Sequence, residues 1–387
     1  MKSLRILDKK LKNHFSKYKQ AIVLLGARQV GKTTILRKLF PDAKYLLVDE
    51  SSIFNILETY SSDSYKSLIG NADMIFIDEL HLLSNPGRAV KLIYDQLPSV
   101  KVVVTGSSSL HIKNKTAESM AGRAINYSLY PLTLGEFLNQ RDIEENFDIN
   151  IIDRIVTNKL KDTLKTYDKD SILENIMLYG QYPHLVNNGL DTLYLKNMVD
   201  KFIFKDIIEL NLIEDRFKAL ELLKLLAYQI GNIINYSEIS IRIGLKIETV
   251  QRYIQIFEDS FIIYRLYPYS TKARDEIGKS PKIYFWDLGI RNALIDNFDN
   301  LNIRNDSGAI FENFVINEIK KEIDYYDLNY KVNYWRLKSG SEVDLILSNN
   351  NELIACEIKQ RRGEFSKAFT NRYKNAKTCK ITFDNVI

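Results

Sequence analysis

Cysteine is almost missing from this chain of 387 residues; there are two, Cys356 and Cys379. They fit no metal-ligand spacing and supply no disulfide framework, so a reducing, cytoplasmic setting is expected. Also missing is any apolar run near the roughly 20 residues that a membrane helix needs. The first residues, Met1 to Lys12, are too charged to read as a secretory signal. Nothing in the composition suggests disorder, because 45% hydrophobic and 11% aromatic residues are enough to fill real cores. A strong charge bias is lacking too: the net charge of +5 is compatible with nucleic acid without being diagnostic of it. At this length two to four domains are expected.

The most informative stretch present is Gly26-Ala27-Arg28-Gln29-Val30-Gly31-Lys32-Thr33, which reads G-x-x-x-x-G-K-T. The apolar run Ala21 to Leu25 before it suits a buried parallel strand. Thr34 to Leu39 after it has apolar residues at helical spacing, limited by Pro41. Strand, glycine loop and helix make an anion cradle of backbone N–H groups and helix N-terminus. Gly26, Gln29, Val30, Gly31, Lys32, Thr33 and Thr34 are therefore the nucleotide-binding candidates for ATP. Lys32 would reach the β- and γ-phosphates, and the Thr33 hydroxyl would ligate Mg²⁺.

A second strand is expected over Ala43–Asp49 and a third over Met74–Glu79, an apolar run ending in two carboxylates. About 45 residues beyond the P-loop, this is the Walker B pattern. Asp78 would hold the Mg²⁺ shell, while Glu79 would orient and deprotonate the attacking water. The run Val100 to Val104 continues into the hydroxyl-rich tip Thr105-Gly106-Ser107-Ser108-Ser109. Ser107 and its neighbours would face the γ-phosphate, or else cap a helix. Four strands alternating with helices predict a parallel sheet with its ligand at the strand C-termini. Arg123, beyond the fourth strand, is a candidate arginine finger in cis or on a neighbouring subunit of a homo-oligomer. An isolated surface arginine is the alternative.

GARQVGKTT at Gly26 to Thr34, IDE at Ile77 to Glu79, TGSSS, AGR and Tyr130-Pro131-Leu132-Thr133-Leu134-Gly135-Glu136-Phe137 carry a resemblance. So do Gly180-Gln181-Tyr182-Pro183, Pro281 to Gly289 and Gly308 to Asn313. Together these blocks resemble a large prokaryotic family of AAA-type P-loop ATPases with a C-terminal domain of unknown function. The resemblance covers nearly the whole chain. The expected fold class is α/β, and the resemblance implies an AAA-like core, a winged-helix middle and a nuclease-like end.

Residues from about 140 to 215 are polar and helix-like, with no catalytic cluster. Glu214 to Gln229 is an amphipathic helix whose leucines, Leu220, Leu222, Leu223, Leu225 and Leu226, read as core. Ser237 to Ile243, Gly244-Leu245-Lys246 and Ile247 to Glu258 then give helix, turn and helix, with Phe261 to Leu266 as a wing strand. Lys246, Thr249, Gln251, Arg252 and Gln255 would face a DNA major groove. A protein-binding role for the same module is equally open.

Near the C-terminus, Ser341 to Leu347 and Leu353 to Lys359 flank an asparagine-rich turn and predict a hairpin. Asp344 and Glu357, 13 residues apart, would meet across it and bind Mg²⁺. Lys359, on the same strand face as Glu357, would activate water or neutralise charge, and Glu312 on the preceding helix would add a third ligand. Lys359 could instead bridge the pair as a structural ion pair. This layout resembles the D…E-x-K signature of the restriction-endonuclease-like superfamily and is similar to archaeal Holliday junction resolvases. Lys359, Arg361, Arg362, Lys367, Arg372, Lys374, Lys377 and Lys380 make a basic stripe suited to a phosphate backbone or to a solvated face.

The expected domains are a P-loop ATPase core (1–138), a helical lid or linker (139–215), a winged helix-turn-helix (216–275) and a restriction-endonuclease-like domain (276–387). The expected function is ATP hydrolysis governing a metal-dependent nuclease-like domain that binds or processes DNA. The alternatives are an ATP-dependent switch or scaffold with an inactive domain, and an oligomeric motor remodelling branched DNA.

Overall fold

The apolar run Ala21–Leu25 is β1, buried along its whole length at the interior of a five-stranded parallel sheet. It is flanked by β4 (Lys101–Thr105) and β5 (Ala124–Ser128), and beyond β4 lie β3 (Met74–Asp78) and β2 (Lys44–Leu47), in the order β2-β3-β4-β1-β5. Helices Lys32–Leu39, Ser51–Glu58, Ser62–Ile69 and Pro86–Gln96 connect these strands. Covered strands read as unbroken apolar runs because both faces are buried. Val23, Leu25, Ile75, Ile77, Val102 and Val104 accordingly share one core with Leu57, Tyr65, Val90 and Ile93. The sequence indicated four strands. The fifth, β5, lies at the edge and buries only Tyr127 deeply, so it carries little periodic signal.

The computed structural model describes residues 5–106, 120–141, 150–160, 169–199, 213–270, 280–337, 339–360 and 365–386. These divide into two compact units. One holds the described residues up to Pro131 with Asp259–Phe261, and the other holds those from Leu132 onward, apart from that short segment.

In the second unit β8 (Lys331–Arg336), β9 (Glu342–Ser348) and β10 (Leu353–Ile358) pair antiparallel, and β11 (Lys377–Ile381) pairs parallel with β10. The β9–β10 turn is held by Asn349, whose side-chain oxygen accepts from the N–H groups of Asn351 and Glu352, each at 2.8 Å. A smaller antiparallel pair joins β6 (Ile263–Leu266) to β7 (Lys282–Phe285).

Helices Tyr236–Ile243 and Ile247–Asp259 lie either side of a three-residue turn, with Ile239, Ile243, Val250, Ile254 and Phe257 buried. Leu222, Leu223, Leu225 and Leu226 of helix Arg216–Tyr228 are core, and Leu220 is part-buried. Helices Ile151–Val156 and Lys169–Tyr179 are fastened in the same unit. Ile151 and Ile152 donate to Glu322 of helix Ser307–Tyr325, and Asn292 of helix Leu288–Leu294 donates to the Met177 and Leu178 carbonyls.

Candidate functional site

All five strands of the first sheet point the same way, so Leu25, Leu47, Asp78 and Thr105 end on one edge. There the chain turns through Gly26. A Cβ on that residue would lie 2.2 Å from the Leu129 carbonyl oxygen, so only glycine lets the loop pass the backbone that follows β5. Gln29 takes a left-handed φ of 63°, and helix Lys32–Leu39 begins directly after Gly31. Val30 is buried, while Gln29 and Thr34 are exposed. Arg5 braces the loop by donating to the Val30 carbonyl at 2.9 Å and to the Tyr130 carbonyl at 2.6 Å.

Lys32 Nζ donates to the carbonyls of Gly26 and Ala27 at 2.9 and 2.8 Å. Burial lowers its pKa to about 8, against the pull of Glu79 and Asp78. The Thr33 hydroxyl donates to Asp78 Oδ2 at 2.9 Å, and Tyr45 donates to the same oxygen at 2.8 Å. Asp78 Oδ1 accepts from the Thr105 hydroxyl and from the Glu79 N–H. Four donors thus fix one buried carboxylate. Tyr45 and Thr105 both take part, and of the two the sequence named only Thr105. Thr105 stood at the base of the hydroxyl-rich tip, whereas nothing local marks Tyr45, which lies 33 residues before Asp78.

Glu79 adopts a left-handed φ of 57°, a strained conformation for a non-glycine residue that costs about 1–3 kcal/mol. One of its oxygens lies 3.2 Å from His81 Nδ1. Burial raises the Glu79 carboxyl pKa; Lys32 works against this and Asp78 adds to it. Loop N–H groups, an ammonium, and a hydroxyl beside an aspartate form the donor set that suits a nucleotide phosphate with a divalent ion. Ser107 lies outside the described residues.

Arg123 requires a correction. Its carbonyl accepts from the Ala21 N–H at 2.8 Å, which places it at the start of β1, on the sheet edge opposite the P-loop. It also precedes the last strand of the sheet rather than following it. Its guanidinium pairs with Asp95 at 2.9 Å. The register therefore excludes a finger role in cis.

The C-terminal candidates are brought together by the β9–β10 register. Cys356 pairs with Leu345, which sets Glu357 across from Asp344. Lys359 Nζ lies 2.9 Å from Asp344 and 3.4 Å from Glu357, bridging the two. The Ile358 N–H also donates to Asp344 at 2.9 Å. Burial, and then Asp344, push the Glu357 carboxyl up to about 7, against the opposing Lys359 charge.

Glu312, expected as a third metal ligand, adjoins Asp344; burial raises the Glu312 carboxyl pKa, with Lys282 opposing and the Asp344 charge adding to the rise. Its carboxylate accepts from the Tyr284 hydroxyl and lies 3.1 Å from Lys282, which also contacts Glu342 at 2.5 Å. Burial disfavours the charge on Lys282, but Glu312 and Glu342 outweigh it and hold its pKa above the usual lysine range. Among the described residues no three His, Cys, Asp or Glu side chains form a metal-holding group. Lys282 was not anticipated, because its partners are 30 and 60 residues away. Of the basic stripe, Lys377 pairs with Glu352 at 2.7 Å, while Arg361 and Arg362 lie outside the described residues.

In the helix-turn-helix segment Lys246, Gln251, Arg252 and Gln255 are exposed and Thr249 is half-buried. Arg252 pairs with Glu214 at 2.9 Å, and Gln255 accepts from Arg265.

Comparison with known proteins adds three family matches. Residues 18–138 match an AAA domain, residues 170–302 a domain of unknown function (DUF8612), and residues 307–386 another (DUF4143). An uncharacterized protein of Methanocaldococcus jannaschii is 26% identical over 313 residues, covering 75% of this chain and 65% of the relative. The chain thus spans about two thirds of that relative's length. A second protein from the same organism, also uncharacterized, is 26% identical over 348 residues, covering 86% of this chain and 73% of the relative. Among solved structures, a Walker-type ATPase of Pyrococcus abyssi is similar with a TM-score of 0.48 and 16% identity, over 76% of this chain and 96% of that one. Among the described residues no helix is long and apolar enough to cross a membrane. With the Gly26–Thr33 loop, Asp78 and Glu79 collected at one sheet edge inside the matched 18–138 segment, the chain carries an AAA-type P-loop ATPase domain.

Proposed function

We propose that this protein is a Mg²⁺-dependent ATP hydrolase whose turnover governs a C-terminal nucleic-acid-processing module. The observation that carries the first part is the Thr33–Asp78 contact at 2.9 Å beside Glu79. Lys32 and the loop N–H groups bind the phosphates, and Gly26 keeps the loop against the backbone after β5. Thr33 and Asp78 are the residues that would hold the ion; when bound, Mg²⁺ would neutralise charge on the phosphate oxygens. Glu79, its pKa raised by burial, takes the proton of the attacking water. Arg123 would reach a nucleotide only on a neighbouring copy of the chain. Loss of turnover in Lys32→Ala and in Glu79→Gln tests this part.

For the second part we propose a restriction-endonuclease-like module, with a winged helix before it, acting on the DNA backbone. What supports this is the opposition of Asp344 and Glu357, with Lys359 reaching both. A specific observation favours the alternative of an inactive binding platform: Lys359 already bridges Asp344 and Glu357, and Lys282 pairs with the neighbouring Glu312 and Glu342. Linear and branched DNA incubated with Mg²⁺ or Mn²⁺ separates the two. Cleavage by the wild type that is lost in Asp344→Ala supports a nuclease. DNA binding without cleavage, with or without ATP, supports the platform, and cleavage that persists in Asp344→Ala refutes the assigned site.

A further inference from the structure

Of the donors fixing Asp78, Thr33 belongs to the P-loop helix, Thr105 to the adjoining strand β4, and the Glu79 N–H to the following residue. The fourth comes from β2. We propose that Tyr45, braced by Arg37, is a positioning residue that orients the Asp78 carboxylate toward the divalent ion accompanying the nucleotide. This rests on the ATP reading above and assigns it a residue outside the P-loop and Walker B segments.

Tyr45 is in register with Phe76, two residues before Asp78 on the same strand face. Its ring sits edge-on to Phe76 with centroids 5.2 Å apart, so the hydroxyl extends along the sheet to Asp78 Oδ2 at 2.8 Å. The Arg37 guanidinium lies 3.9 Å from the Tyr45 ring centroid. Arg37 follows Thr33 by one helical turn, so both project from the same side of helix Lys32–Leu39. One helix therefore contacts Asp78 twice, directly through Thr33 and indirectly through Arg37 and Tyr45.

Without the tyrosine hydroxyl, Oδ2 would keep Thr33 as its donor among the described hydrogen bonds, and the carboxylate would gain rotational freedom. Tyr45→Phe removes that donor, and with it the hydroxyl's hydrogen bond with Arg37, while keeping the ring, its contact with Phe76 and the stack with Arg37. The expected result is selective: the apparent Mn²⁺ affinity in the presence of a non-hydrolysable ATP analogue weakens about tenfold, the scale of losing one hydrogen bond to a charged group. Free Mn²⁺ measured by electron paramagnetic resonance reads this without turnover. Analogue affinity in EDTA should stay at the wild-type value, and Arg37→Leu should weaken Mn²⁺ binding less than Tyr45→Phe does. Mn²⁺ affinity of Tyr45→Phe within twofold of wild type, or an equal loss of analogue binding in EDTA, would overturn the positioning role. A wild type that binds the analogue neither in EDTA nor with Mn²⁺ would overturn the ATP reading itself, and this inference with it.

Discussion

Glu357 is largely buried between Asp344 and Lys359, and burial with Asp344 raises its carboxyl to about 7. An unfolded glutamate titrates near 4.5. Between those values the folded chain holds a proton that the unfolded chain has released. Stability therefore falls as pH rises through this window, and the full cost is felt above it. In metal-free buffer, Glu357→Gln should raise Tm at pH 8 by about 2–4 °C, on the order of 1 kcal/mol, with the gain vanishing toward pH 4.5. Melting curves across pH check it; a variant no more stable than wild type at pH 8 contradicts the assignment. At this scale Asp344, Glu357 and Lys359 were legible, because a hairpin brings residues 13 apart into opposition. Tyr45, Lys282 and Tyr284 were not, since they meet their partners only once separate elements pack. Glu312 was legible as a neighbour of this pair, whereas its contact with Lys282 was not.

At the level of elements, the long helix Ser307–Tyr325 organises the second unit through buried polar groups. Lys321 and Glu318 are both fully buried and 3.0 Å apart. Lys321 also donates to the Leu132 carbonyl at 2.8 Å and to Gln181, while Glu318 accepts from the Leu134 N–H at 2.6 Å. Lys321→Met leaves Glu318 as an uncompensated buried charge and should cost about 3–5 kcal/mol. Adding Glu318→Gln should recover much of the loss, because the stranded charge is then removed. Thermal melts of the single and double variants check this, and equal destabilisation in both would contradict it. Buried contacts also join blocks that are distant in the sequence. A Cβ at Gly180 would lie 2.1 Å from Asp287 Oδ1, and Gln181 donates its N–H to Asp287 Oδ2 at 2.7 Å. Asn313 in turn pairs with the backbone of Phe285 through its side-chain oxygen and nitrogen. Buried strands β1, β3 and β4 were readable as apolar runs, but β5 at the edge was not.

Over the whole molecule, the chain joins an AAA-type ATPase domain to segments whose family matches carry no function. The ATPase was legible because its chemistry sits in contiguous loops at strand ends. The C-terminal carboxylate pair was legible only as a juxtaposition, and Lys282 was hidden by distance along the chain. The central claim is that the Gly26–Thr33 loop, Asp78 and Glu79 bind and hydrolyse ATP. ADP release by purified wild type, Lys32→Ala and Glu79→Gln, read beside the ATP-induced shift in Tm, tests it most directly. Nucleotide at about 100 times its Kd should stabilise the wild type by roughly 2.7 kcal/mol. Glu79→Gln should keep that shift and lose ADP release, while Lys32→Ala should lose both. A wild type showing neither, or a Glu79→Gln variant that turns over ATP at the wild-type rate, would contradict the account.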